Sequence, residues 1–95
     1  MGQTIHTEAV DLMFEAMQTL KTKEDYYAFF EDLCTVKEVL SMAQRVEVAR
    51  GLSQGKTYME VTANTGASTA TISRVNRIMN YGTDGLKKAL KEIEE

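Results

Sequence analysis

The sequence predicts an all-α protein of about six helices. No segment alternates apolar and polar residues for long, whereas several repeat apolar residues at intervals of three and four, the spacing of an amphipathic helix. Glycines fall between these segments, and proline is absent from all 95 residues. A chain of this length and globular composition is expected to form a single domain over residues 1–95.

Three helices are predicted in the first half of the chain. The first has a broad apolar face, the second follows a capping sequence at 22–25, and the third runs from about 36 to 53 after a similar sequence at 35–38. The apolar residues of the first helix are Ile5, Ala9, Leu12, Met13, Ala16, Met17 and Leu20. Those of the third helix are Val39, Leu40, Ala43, Val46, Ala49 and Leu52.

These apolar faces exceed what so short a chain can easily cover by itself. We therefore predict a symmetric homodimer in which the first three helices of both subunits share one core. The alternative is a monomer that leaves some apolar residues exposed, as many soluble proteins do.

A helix-turn-helix is predicted at about 57–80. A short helix fits residues 58–64, a second fits 69–80, and a turn that contains Gly66 joins them. Gly66 can adopt a positive φ, and Ser68 can cap the second helix by accepting from the Thr71 amide. The internal core of this motif is expected to consist of Val61, Ala67, Ile72 and Val75. A last helix is expected over residues 85–94.

The outward face of the second hairpin helix has the chemistry of a DNA-reading surface. Short hydroxyl and methyl groups at its start allow close entry into a major groove, and arginines further along can reach guanine or phosphate. Thr57 and Tyr58, at the start of the supporting helix, are placed to bind a backbone phosphate. The predicted DNA-binding residues of the second helix and its cap are Ser68, Thr69, Ala70, Ser73, Arg74 and Arg77.

The charge distribution supports this interpretation, although the net charge of −3 alone would not. Residues 1–39 carry three lysines against eight acidic residues, whereas residues 40–80 carry five basic residues against two acidic ones. A locally basic region inside an acidic chain permits a small phosphate-binding surface. The expected partner is double-stranded DNA.

Other classes of function find little support. The chain has one histidine, His6, and one cysteine, Cys34, so we expect no metal site, no cofactor and no enzymatic activity. No run of about 18 apolar residues predicts a membrane span, and a lone cysteine favours the reducing cytoplasm. The alternative function is a protein-interaction adaptor with a helix-turn-helix shape, whose acidic N-terminal half would suit a basic partner.

The hairpin sequence resembles a known family. The segment Gly-Ala-Ser-Thr-Ala-Thr-Ile-Ser-Arg at 66–74 is similar to the recognition segment of the Trp repressor. The Thr-Tyr at 57–58, the segment 65–77 and the Tyr-Gly at 81–82 resemble the YerC/YecD-type members of the Trp-repressor-like superfamily. The similarity in helix order covers about 22–92. It implies a bacterial repressor that forms an intertwined homodimer and presents two helix-turn-helix units to a palindromic operator.

The resemblance also implies a candidate effector pocket. Two arginines flank the tryptophan bound by the Trp repressor, and Arg45 and Arg74 match them. A glycine and a small hydroxyl residue of that pocket are replaced here by Val75 and Ile78, which would fill the space of an indole. We therefore expect no tryptophan binding, and either a smaller effector or none. The alternative is that Arg45 pairs with an acid on its own helix and Arg74 contacts phosphate.

Overall fold

The computed structural model describes residues 3–94, which form six α-helices and no β-strand. The all-α prediction is confirmed, and no helix within this range is long and apolar enough to cross a membrane. The helices are α1 (Glu8–Met17), α2 (Lys23–Leu33), α3 (Val36–Ser53), α4 (Tyr58–Thr65), α5 (Thr69–Tyr81) and α6 (Gly85–Glu94).

The chain divides after Val36 into two compact units. The first contains α1 and α2, and the second contains the body of α3 together with α4, α5 and α6. The expectation of one domain over residues 1–95 stays a prediction, and Met1, Gly2 and Glu95 lie outside the described residues.

Threonine caps fix the starts of the two helices in the first unit. The Thr7 hydroxyl accepts from the Val10 amide, so α1 begins only at Glu8. Ile5 therefore lies before the helix, and Leu20 lies beyond its end at Met17, so the apolar face is shorter than predicted. The predicted cap at 22–25 is confirmed as a capping box, in which Thr22 accepts from the Asp25 amide and the Asp25 carboxylate accepts from the Thr22 amide.

The first unit has little core of its own. No side chain within residues 3–36 is fully buried, and Leu12 and Tyr27 are about two-thirds exposed, at 67% and 69%. Phe29 and Phe30 make an edge-to-face contact with ring centroids 5.3 Å apart. The apolar residues of α1 and α2 therefore leave substantial surface to be covered.

The second unit encloses a compact hydrophobic core. All four residues predicted for the hairpin core are confirmed as buried, and Leu52 and Leu86 pack against the same cluster. Residues from α3, the hairpin and α6 contribute to it: Val48, Ala49, Val61, Ala67, Ile72, Val75, Met79 and Leu90.

The buried face of α3 differs from the predicted one. Val48, which lies off the predicted apolar stripe, is fully buried, while Leu40 and Val46 are 63% and 42% exposed. The reason is that α3 carries two apolar surfaces. The C-terminal part of the helix, from Val48 onward, packs against the hairpin, and the stripe that contains Leu40 is left uncovered in the single chain.

Candidate nucleic-acid interface

Helices α4 and α5 form a helix-turn-helix through the three residues 66–68. Gly66 has φ 73° and ψ 6°, the left-handed conformation that a side chain disfavours, and its N–H donates to the Thr62 carbonyl at 2.9 Å. The predicted positive φ is confirmed. Val61 on α4 and Ile72 on α5 are both buried in the common core, so the turn brings the apolar faces of the two helices together.

Hydroxyl groups on both sides of Gly66 hold the turn. The Thr65 hydroxyl donates to the Val61 carbonyl at 2.7 Å and accepts from the Ala67 amide at 3.2 Å. Ser68 is the N-cap of α5, as predicted, and accepts from the Thr71 amide at 3.1 Å. The Ser68 hydroxyl also donates to the Thr71 hydroxyl at 3.1 Å. Both hydrogen-bonding roles of Ser68 are thus engaged in shaping the start of the helix.

The residues of α5 that are predicted to face DNA form one exposed stripe along the helix. Their spacing places them on the side of the helix opposite Ile72, Val75 and Met79. No acidic residue occurs between 66 and 81. The stripe is therefore polar at its start and positively charged from its middle onward. Its exposed residues are Thr69, Ala70, Ser73, Arg74 and Arg77.

A capping box that sequence reasoning missed fixes the start of α4. The Thr57 hydroxyl accepts from the Glu60 amide at 3.2 Å, and the Glu60 carboxylate accepts from the Thr57 amide at 2.8 Å. The Thr-x-x-Glu spacing at 57–60 was the available signal. The Thr57 hydroxyl retains its proton, which leaves a donor for an acceptor such as phosphate. Tyr58, the first residue of α4, is 37% exposed.

This capping box lowers the pKa of the Glu60 carboxyl below its ordinary value of 4.5, first because the carboxylate accepts from the Thr57 backbone N–H. A carboxyl whose pKa is lowered by folding stabilises the folded state at pH values above its unfolded pKa. That stabilisation is lost as the pH falls through the lower folded pKa. The start of α4 should therefore loosen in acid.

The Thr57 amide resonance should report this titration. Between about pH 6 and about pH 3 its NMR shift is expected to follow the protonation of Glu60. Glu60→Gln should abolish that titration, while the control Glu47→Gln, which removes an exposed acid on α3, should leave it unchanged. A Thr57 titration that survives in Glu60→Gln would mean that a different group binds this N–H.

The four residues of the candidate effector pocket lie in contrasting environments. Arg45 is exposed on α3, with its Nη2 atom 3.5 Å from the Ser41 hydroxyl oxygen, and Arg74 is exposed on α5. Val75 is only 2% exposed within the core, whereas Ile78 is 46% exposed. Within the single chain, Val75 thus belongs to the packing of the hairpin and offers no surface to a ligand.

A separate shallow cleft of about 80 Å³ lies between α3 and α4, and it includes none of those four residues. Arg50 and Gln54 border it on one side and Asn64 on the other, with Gly51 and Val61 also in its lining. Within residues 3–94, no group of three or more His, Cys, Asp or Glu side chains is arranged to hold a metal ion.

The family model described as Trp repressor protein matches residues 8–94. The chain belongs to the Trp repressor family. It is 51% identical over 86 residues to the uncharacterized protein YerC of Bacillus subtilis (strain 168), a match that covers 90% of this chain and 83% of that protein. The resemblance stated from the hairpin sequence is confirmed.

Solved structures agree with this membership of the Trp repressor family. A TrpR-like protein from Eubacterium eligens ATCC 27750 superposes with a TM-score of 0.91 at 48% identity, covering 95% of this chain and 93% of that one. A crystal structure from Staphylococcus aureus gives a TM-score of 0.91 at 42% identity, covering 98% and 96%. The Trp repressor family has a helix-turn-helix regulator fold, it is not a family of enzymes, and it implies DNA binding and dimerisation in general terms.

Proposed function

We propose that this member of the Trp repressor family is a sequence-specific DNA-binding transcriptional regulator. It acts as a homodimer on a palindrome-like operator and represses transcription in the cytoplasm. The observation that carries the proposal is the division of α5 into two faces. Ile72, Val75 and Met79 are buried, while the opposite face exposes small polar groups and two arginines.

The exposed face of α5 suits entry into a major groove. Thr69, Ala70 and Ser73 have short side chains, so the start of the helix can approach base edges closely. Their hydroxyls can bond to bases, and their methyl groups can contact the methyl of thymine. Arg74 and Arg77 follow on the same face and supply charge for guanine or phosphate.

The start of α4 complements this surface with phosphate contacts. Thr57 has a hydroxyl proton available, and Tyr58 exposes part of its side chain beside it. Contacts of this kind position a protein on the duplex without reading its sequence. Since the chain has few basic residues, we expect a shallow dependence of DNA affinity on salt concentration.

The dimer is supported by the apolar surface that the single chain leaves uncovered. Val36, Leu40 and Val46 on α3 are exposed by 75%, 63% and 42%. A two-fold axis would let this stripe pack against its own copy and would present two α5 helices. Their separation should be about 34 Å, one turn of DNA, so that both can enter successive major grooves.

Tryptophan is not expected to act as a corepressor. Val75 occupies the core where the Trp repressor has a glycine, and Ile78 adds a branched side chain on the next turn of α5. We propose that DNA binding either needs no effector or uses a smaller unknown molecule near Arg45 and Arg74.

Selection from a randomised DNA pool tests the proposed function. The protein is incubated at two salt concentrations without ligand, and the bound DNA is sequenced. Enrichment of a palindrome-like site is the expected result. If no site is enriched, with or without tryptophan and a metabolite mixture, sequence-specific regulation is contradicted, and the adaptor function takes its place.

Substitutions on α5 should separate the contribution of charge to DNA affinity from the contribution of polar contacts to sequence preference. Arg77→Ala is expected to weaken binding to all DNA by about 5-fold per lost contact and to reduce the salt slope by about 1 per contact. Thr69→Ala or Ser73→Ala should instead alter which sequence is preferred. Fluorescence anisotropy measures both effects, with Lys91→Ala on α6 as the control. Unchanged binding by Arg77→Ala would rule out this docking geometry.

A further inference from the structure

One hydrogen bond links α3 directly to the turn of the helix-turn-helix. The Gln44 side-chain amide Nε2 donates to the backbone carbonyl oxygen of Thr65 at 3.2 Å, and both residues are partly buried. The bond spans 21 positions of the sequence. It joins the middle of α3 to the last residue of α4, immediately before Gly66.

The Thr65 carbonyl is a group that needs an external donor. The last carbonyls of an α-helix have no partner within the helix, and Gly66 turns the chain away in the left-handed conformation. The Gly66 N–H is already donated to the Thr62 carbonyl, and the Ala67 N–H to the Thr65 hydroxyl. Gln44 therefore supplies, from another helix, the donor that the turn itself does not provide.

A second contact holds α4 on α3 about two helical turns from Gln44. At Gly51 the backbone comes so near that an added Cβ would lie 3.1 Å from Cγ2 of Val61. The Gly51 carbonyl also accepts from the Lys56 amide at 3.1 Å, just before α4 begins. A helix that is held at two separated points can rotate only about the line that joins them, so its tilt on α3 is restricted.

We propose that Gln44 is a positioning residue for the DNA-reading helix. Its amide provides the attachment at the Thr65 end of α4, and the close approach at Gly51 provides the other. Together they hold α4 at one angle on α3 without a bound small molecule, and the Gly66 turn transmits this angle to α5. The DNA part of this inference rests on the proposed function. Because the α3 helices of two subunits would form the dimer core, the angle on α3 sets the distance between the two reading helices.

Amide hydrogen exchange on the free protein tests the attachment without DNA. Gln44→Met keeps the length of the side chain but removes the donor. It should raise exchange at Gly66 and Ala67 by about 5-fold. Exchange at the Lys88 amide of α6, which donates to the Asp84 carbonyl just before that helix, should be unchanged. Gln44→Lys, which restores a donor of similar reach, should return exchange toward the wild-type rate.

The matched control is Gln54→Met, which should leave exchange at Gly66 at the wild-type rate. It makes the same substitution at an exposed glutamine whose side chain makes no hydrogen bond within residues 3–94. Equal exchange at Gly66 in wild type and Gln44→Met would overturn the inference. So would an equal rise at Lys88, because that pattern means general destabilisation.

The ratio of affinities for two operators with different half-site spacing is a measurement that a change in stability alone would not alter. One added base pair shifts a half-site by about 3.4 Å and rotates it by about 34°. The wild-type protein should bind an operator with this added base pair much more weakly than the operator of normal spacing. In Gln44→Met the ratio of affinities for the two spacings should fall at least about threefold, and Gln44→Lys should restore it. An unchanged ratio in Gln44→Met contradicts the positioning role.

If wild type selects no DNA site, the proposed function fails separately, and the exchange result alone decides whether Gln44 holds the hairpin.

Discussion

Ile72→Ala is expected to lower the free energy of unfolding of the second unit by about 2–5 kcal/mol. Ile72 is 0% exposed and lies where residues from α3, α4, α5 and α6 meet. Its truncation removes apolar contacts and leaves a cavity that the surrounding helices cannot fill without moving. Small domains are stable by only about 5–15 kcal/mol, so this loss is a large share of the total.

Guanidinium denaturation followed by circular dichroism measures this effect. Met59→Ala is the matched control, because Met59 is a large apolar residue of the same hairpin that is 84% exposed. It should change stability by no more than about 0.5 kcal/mol. If Ile72→Ala lowers the free energy of unfolding no more than Met59→Ala does, the hairpin core does not stabilise the unit.

Leu40→Glu is expected to separate the subunits of the proposed homodimer and to weaken binding to the proposed operator by about two orders of magnitude or more. Leu40 is 63% exposed in the single chain and lies in the apolar stripe of α3 that we assign to the second copy. Burying a carboxylate there without a partner is costly, so the two subunits should separate. Each monomer would then hold only one half-site and would lose the gain from binding two at once.

Analytical ultracentrifugation measures the first effect and fluorescence anisotropy the second. Gln54→Glu, which adds the same charge just beyond the other end of α3, should remain dimeric. Circular dichroism should show an intact hairpin in Leu40→Glu, because Leu40 is not part of the hairpin core. A Leu40→Glu protein that still sediments as a dimer would show that this stripe is not the interface.

Much of the fold could be predicted because local chemistry determines it. The cap at Thr22, the left-handed Gly66 and the cap at Ser68 each depend on residues within three or four positions, and all three are confirmed. The apolar positions of the hairpin also repeat at helical spacing. Val61 and Ile72 are therefore buried as expected.

The remaining features depend on which elements meet in space. Val48 lies off the apolar stripe of α3, and only the packing of the hairpin against the C-terminal part of that helix explains its burial. The Gln44–Thr65 hydrogen bond joins residues far apart in sequence, so no short sequence pattern predicts it. The capping box between Thr57 and Glu60 does have a local Thr-x-x-Glu pattern, but the prediction that Thr57 binds phosphate does not include it. The DNA contacts themselves stay predictions.

The fold constrains the residues on the buried face of α5 much more than those on its exposed face. Thr69, Ala70 and Ser73 are exposed, and the core forms from the opposite side of the helix, so exchanging them leaves packing intact. Surface changes of this kind usually alter stability by less than about 0.5 kcal/mol. If α5 reads DNA as proposed, its sequence preference could therefore change by a few substitutions while the scaffold stays the same.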